Sequence, residues 1–111
     1  MDDVMNNLIS ELRRGTLIIH VLSQLKSPQY GYSLIEMFEV KGISIEANTL
    51  YPLLRRLEKQ NLLESCWNTE GAKPRKYYKI SVYGAEIYDQ LCKAYFEIVE
   101  NTNKLIMEDN Q

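Results

Sequence analysis

At 111 residues, with 45% hydrophobic and 25% charged side chains, the chain has the make-up of one ordinary globular domain, too apolar for disorder and too short for two full cores. Its formal charge of −2 excludes a uniformly basic surface. The charges are nonetheless segregated: residues 46–79 carry seven Lys/Arg against four acids and residues 80–111 carry two against six, so with salt screening each patch within about 8–10 Å a local basic surface survives.

Leu8, Ile9, Leu12, Ile18, Ile19, Leu22 and Leu25 recur at helical spacing and predict a first helix over residues 5–26. Its second half is apolar on nearly every side, which calls for burial. Gly15 within it costs about 1 kcal/mol relative to Ala unless a bend or close packing uses it. Ser27-Pro28-Gln29 breaks the pattern. A second helix follows from Tyr30 or Gly31 to Lys41, with Leu34, Ile35 and Phe38 inward and Gly42 placed as a left-handed stop. After the turn Ile43-Ser44-Ile45, a third helix runs to Gln60, with Asn61 in the stop position. Pro52 is best tolerated in a first helical turn, which sets the start of regular hydrogen bonding near Asn48 or Thr49.

Residues 62–69 and 75–81 are rich in bulky and aromatic side chains and are joined by Glu70-Gly71-Ala72-Lys73-Pro74, which predicts a two-stranded hairpin. From Val82 the helical period returns. Ile87, Leu91, Tyr95, Ile98, Thr102 and Leu105 form one stripe, widened by Tyr88, Cys92, Val99 and Ile106, and residues 108–111 read as frayed. The expected fold is mostly α with a small β-hairpin.

The third helix has two distinct faces. Leu50, Leu53, Leu54 and Leu57 share one side at 100° per residue. Asn48, Pro52, Arg55 and Lys59 share the other, with Tyr51 and Arg56 at its flanks. Asn48 suits a hydrogen bond to a base edge, Arg55 a guanine or a phosphate, and Tyr51 a phosphate through its hydroxyl. An amphipathic, merely solvated helix would look similar, but the preceding helix and short turn make this the second helix of a helix-turn-helix. Lys73, Arg75 and Lys76 then place positive charge on the hairpin, where a wing touches backbone or minor groove. Alternation puts Lys76, Tyr78 and Ile80 on one face of the returning strand and Arg75, Tyr77 and Lys79 on the other, so one tyrosine should pack beneath the wing. A winged helix that binds protein without reading DNA is the alternative.

Asn48-Thr49-Leu50-Tyr51-Pro52-x-Leu54-x-Arg56-Leu57-Glu58, then Leu62-Leu63, Arg75-Lys76-Tyr77-Tyr78 and Gly84, with Tyr30-Gly31-Tyr32 opening the second helix, resemble the signature of PadR-family winged-helix transcriptional regulators. The resemblance covers residues 12–95 and points to the small subfamily with a single C-terminal helix. It implies a winged helix-turn-helix DNA-binding domain over residues 1–82 and a dimerisation helix over 83–111. It also implies a homodimer on a double-stranded operator with inverted-repeat character, acting as a repressor released by a small ligand. The implied DNA contacts are Asn48, Thr49, Tyr51, Pro52, Arg55, Arg56, Lys59, Lys73, Arg75 and Lys76. Asn48 and Asn61 stand where Gly is common in the family.

The last helix carries a stripe wider than a small winged-helix body can cover, and a second copy is its simplest partner, through Ile87, Leu91, Tyr95, Ile98 and Val99. The family resemblance places Tyr95, beside Phe96, where multidrug-responsive members line a flat aromatic pocket at the dimer centre. Leu8 and Leu12, with Met5, are expected to line the same space, and a small aromatic or phenolic effector is implied. Tyr95 as plain interface packing is the competing reading.

The remaining chemistry is sparse. One His, no activated nucleophile pattern, no phosphate-binding glycine loop and no carboxylate constellation give no basis for an enzyme or a cofactor. Cys66 and Cys92 lack metal-ligand spacing, and with no secretory signal they fit a reducing cytoplasm. The longest apolar run, residues 17–22, is too short to span a bilayer. His20 is expected in the core or interface, Trp67 against the helical body, and Cys92 as a buried structural thiol rather than a redox sensor.

Overall fold

A computed structural model describes residues 2–109. Helix α1 (Asp3–Arg14) opens on Asp2, whose carboxylate accepts the Met5 N–H at 2.9 Å, and closes on Arg13 and Arg14, so charge at both ends complements the helix dipole. None of its residues is buried. The single helix expected over 5–26 is instead two, because the chain breaks at Gly15-Thr16 before α2 (Leu17–Ser23). The Thr16 hydroxyl donates to the Arg13 carbonyl at 2.9 Å, an alternative to helical pairing that a short β-branched hydroxyl offers. Gly15 has open space where a Cβ would stand and ordinary helical angles, φ −66° and ψ −24°, so neither close packing nor a left-handed turn calls for glycine there.

Helix α2 sends Val21 and Leu22 wholly into the core, with Leu25 just beyond it. The expected break at 27–29 is present and runs into a short strand that the sequence does not show, β1 (Gln29–Tyr30), from which α3 (Gly31–Val40) follows directly. Gly42, at φ +79°, stops α3: its N–H reaches the Glu39 carbonyl at 3.1 Å and the Ile43 N–H reaches Phe38 at 2.8 Å. Helix α4 (Ala47–Lys59) ends the same way at Asn61, φ +65°, where Asn61 donates to Glu58 and Leu62 to Leu57, both at 2.9 Å. Both stops stand where the sequence places them. Pro52 does not: α4 begins at Ala47, so the proline lies in the second turn.

Strands β2 (Leu63–Asn68) and β3 (Arg75–Ile80) form the hairpin, and β1 adds to the far side of β3, giving an antiparallel sheet of order β1-β3-β2. Gln29 pairs with Tyr78 and Tyr30 with Tyr77, while Ser65 pairs with Tyr78 and Trp67 with Lys76. Of the two tyrosines, Tyr78 is the one buried, on the sheet face it shares with Lys76 and Ile80, while Tyr77 on the other face is half-buried. Trp67 is 62% exposed, contrary to expectation: it shares a strand face with buried Leu63 but stands four residues further toward the wing tip.

Helix α5 (Val82–Asp109) starts at a tight junction. The Ser81 hydroxyl donates to the Asn61 carbonyl at 2.7 Å and accepts the Gly84 N–H at 2.8 Å. A Cβ on Gly84 would overlap the Leu62 carbonyl, so only glycine permits this approach. The helix has 28 residues, about 42 Å at the usual rise. Only its first half touches the body, through Ile87, Tyr88 and Leu91. The rest projects, in a molecule measuring 61 × 35 × 22 Å. The architecture is a mostly helical winged helix-turn-helix with a long C-terminal helix, its small sheet three-stranded.

Candidate nucleic-acid interface

Four leucines seat α4. Leu50, Leu53, Leu54 and Leu57 are buried among Leu34, Phe38 and Val21, and this leaves Asn48, Thr49, Pro52, Arg55, Arg56 and Lys59 exposed. Among the described residues, none of Arg55, Arg56 and Lys59 forms an ion pair. The helix therefore offers an amide, a hydroxyl and three cations to solvent, in the order in which an inserted helix meets bases and then phosphates.

Tyr51 is a different case. It is half-buried, and its ring lies against Gly31 so closely that a Cβ there would overlap it. The ring locks the start of α3 to α4, and with Tyr30, Tyr32, Tyr78 and Arg75 it lines an open cleft of about 580 Å³ between helix and wing. Any contact of its hydroxyl with a phosphate would come from this packed position.

The wing carries Lys73 and Arg75 exposed. The Arg75 guanidinium lies 5.3 Å from the centre of the Tyr30 ring, and Tyr30 stacks on Tyr77 at 4.5 Å. Hydrogen bonding from Tyr77, and then from the Asn68 amide at 3.2 Å, holds the Tyr30 phenol below its ordinary value, while the contact with Tyr30 pushes Tyr77 up. Lys76 is not a free cation. Its ammonium pairs with Glu58 at 3.0 Å and sits 5.2 Å from the Tyr78 ring centre. Glu58 also accepts a hydrogen bond from the Ser65 hydroxyl, which holds its carboxyl below the usual range, with Lys76 adding to the effect. The same ion pair raises Lys76.

Two basic residues that sequence periodicity left unassigned also reach this surface. Arg13 and Arg14 share a cleft with Ser44, Glu46 and Thr49, beside the first turn of α4 and on the flank opposite the wing. Neither pairs with an acid among the described residues. Their adjacency at the end of an amphipathic helix was the available signal, but their neighbours were not legible without the fold.

The residues expected at a dimer centre divide into two groups. Ile87 and Leu91 are half-buried against the chain's own core, so much of their surface is already used. Ile98 and Phe96 are mostly exposed, Tyr95 lies at 36%, and Val99 is half-buried. Tyr95 and Phe96 meet edge to face at 5.5 Å. On α1, Val4, Met5, Leu8 and Leu12 are exposed too. Cys92 is half-buried, and hydrogen bonding with it raises the Tyr88 phenol. His20 lies half-buried, its ring 6.5 Å from that of Phe38. Among the described residues there is no metal-binding cluster, and no helix is long and apolar enough to cross a membrane.

Residues 18–90 match the family model described as the transcriptional regulator PadR-like family. The chain is similar to a PadR family transcriptional regulator from Eggerthella lenta DSM 2243, at 47% identity and a TM-score of 0.91, over 95% of this chain and 94% of that one. It is similar to a transcriptional regulator from Clostridium thermocellum at 31% identity and a TM-score of 0.79, over 85% and 96% of the two chains. Bacillus subtilis PadR, in complex with operator DNA, shares the fold at 21% identity and a TM-score of 0.64, over 69% of this chain and 45% of that one.

Proposed function

The chain belongs to the PadR-like family of transcriptional regulators, and from that premise we propose that it is a sequence-specific DNA-binding regulator, a homodimeric cytoplasmic repressor released by a small aromatic or phenolic effector. The observation that carries the reading is the outward face of α4, where Asn48, Arg55 and Lys59 stand exposed while four leucines hold the helix from behind. In this reading Asn48, Thr49, Pro52 and Arg55 meet base edges in the major groove, and Arg56, Lys59 and Tyr51 take flanking phosphates. Lys73 and Arg75 extend the footprint along the wing, and Arg13 and Arg14 extend it on the opposite side. That a Bacillus subtilis relative of the same fold is found in complex with operator DNA supports DNA as the partner.

In this reading residues 1–82 form the DNA-binding part and residues 83–111 the dimerisation part, built on α5. The exposed apolar faces of α1 and distal α5, through Leu8, Leu12, Tyr95, Phe96, Ile98 and Val99, would close on a second copy. A dimer of this kind sets its two reading helices about one DNA turn apart, ~34 Å, and so requires an inverted repeat. The flat Tyr95 and Phe96 rings near that centre suit a planar effector. Footprinting on the DNA upstream of the gene tests the reading. Two protected half-sites one turn apart are expected; absence of protection, or protection without two-fold symmetry, overturns it.

A further inference from the structure

Glu58 occupies the flank of α4 that also carries Tyr51, in the last turn and one residue before the helix ends. Its two carboxylate oxygens are engaged separately: one accepts from Ser65 on β2, the other from Lys76 on β3 at 3.0 Å. Ser65 pairs across the ladder with Tyr78, and Lys76 with Trp67, so the two anchors sit diagonally on the face turned toward α4. A single carboxylate therefore pins both strands of the wing to the helix. At its base the wing is held by backbone, through Ile80 to Leu25 at 2.7 Å and Ser81 to Leu62 at 3.0 Å. Beyond Lys76, toward the tip, the contacts that remain among the described residues are those of Tyr30 with Asn68 and Arg75.

The charge balance matters as much as the geometry. A carboxylate beside a polyanion repels it, and a free lysine beside it attracts any sequence equally. Paired, the two cancel. Both side chains are about one-third exposed or a little less, at 29% and 32%, and pairs of that exposure add little to folding stability. An effect on binding is therefore separable from an effect on the fold.

We propose that Glu58 is a positioning and specificity-determining residue. It fixes the angle between wing and reading helix and withholds Lys76 from the DNA backbone, lowering sequence-independent attraction in favour of register. This rests on the DNA-binding reading above, which it deepens by converting Lys76 from a phosphate contact into a strut.

The test compares Glu58→Gln, Lys76→Gln and the double variant in the full-length protein. Without DNA, amide hydrogen exchange at residues 68–75 should quicken in each single variant and no further in the double, because one contact is lost in all three. On DNA, Glu58→Gln frees the ammonium. The salt dependence of binding to a random duplex should then steepen by about one phosphate, ~0.9 in log–log slope, while the ratio of operator to random affinity falls about fivefold, the upper end for an exposed pair. Lys76→Gln should leave the random-duplex slope unchanged while lowering the ratio similarly. A shallower slope in Lys76→Gln with an unchanged Glu58→Gln would make Lys76 a direct phosphate contact and overturn the proposal. Wing exchange unchanged in the variants, while the wild type binds DNA, overturns the proposal alone. Quickened exchange in a protein that binds no duplex overturns the DNA-binding reading, and the specificity role with it.

Discussion

The ring of Tyr51 occupies the space in which a side chain on Gly31 would begin. This contact joins the first residue of α3 to the second turn of α4 and sets the distance between the two helices of the helix-turn-helix. Gly31→Ala should therefore overpack the junction and destabilise the fold by about 1–3 kcal/mol. Urea unfolding measures it. Combined with Tyr51→Ala the two losses should fall short of their sum, since the second change removes the atoms the first collides with.

Arg55→Ala should weaken operator binding by about 1–3 kcal/mol and relax preference at one base pair, with unfolding unchanged, because its side chain is exposed and unpaired. Replacing Arg13 and Arg14 together by alanine should instead lower affinity for all sequences alike and reduce the salt slope by about two phosphates. Fluorescence titrations at several salt concentrations separate the two patterns. Identical curves for Arg55→Ala and wild type would remove α4's outward face from the interface.

Ile98→Asp should convert the proposed dimer to folded monomers, since Ile98 is 62% exposed within one chain. Leu91→Asp should lower unfolding stability as well, by placing a charge against the chain's own core. Sedimentation alongside thermal unfolding distinguishes them. A dimer that survives Ile98→Asp would place the interface elsewhere.

Wing attachment should depend on pH with a definite sign. Glu58's carboxyl is held low in the fold by Ser65 and Lys76, so its contribution is present above the unfolded carboxyl's range and is lost as pH falls through its lower folded value. Lys76 is raised, so its contribution is present below the ordinary lysine value and is lost as pH rises through the higher folded one. Wing exchange, corrected for intrinsic rates, should stay level between these limits. An increase near neutral pH would mean that another group holds the wing.

Planar aromatic or phenolic molecules should raise the unfolding temperature of the wild type and not of Tyr95→Ala, if the α5 rings form a stacking site. Equal shifts in both proteins would leave Tyr95 as packing.

The features legible in the chain are those that depend on neighbours in sequence. The leucine face of α4 follows from a period of 3.6, and the stops at Gly42 and Asn61 follow from the backbone angles such residues tolerate. Strand alternation puts one of Tyr77 and Tyr78 beneath the wing, and it is Tyr78 that is buried. What escaped depends on distant partners. The two residues of β1 are too few to show a period and become a strand only because β3 lies beside them. Trp67 looks like a core residue by type, but it stands toward the wing tip, four residues beyond Leu63, which the core does cover. Lys76 looks like a phosphate contact until Glu58, 18 positions earlier, is brought within 3.0 Å. Arg13 and Arg14 gain meaning only once Thr49 is their neighbour.

One hydroxyl joins the two ends of the proposed mechanism. Ser81 holds the carbonyl at the exit of α4 and the first turn of α5 with the same oxygen, and Gly84 presses that turn against Leu62. The reading helix and the projecting helix thus share a rigid elbow. In a dimer, tilting one α5 against its mate would swing the attached α4 as a lever does, changing the separation of the two reading faces without disturbing either. An effector lodged between the long helices would need no path through the core; it would only have to alter an angle.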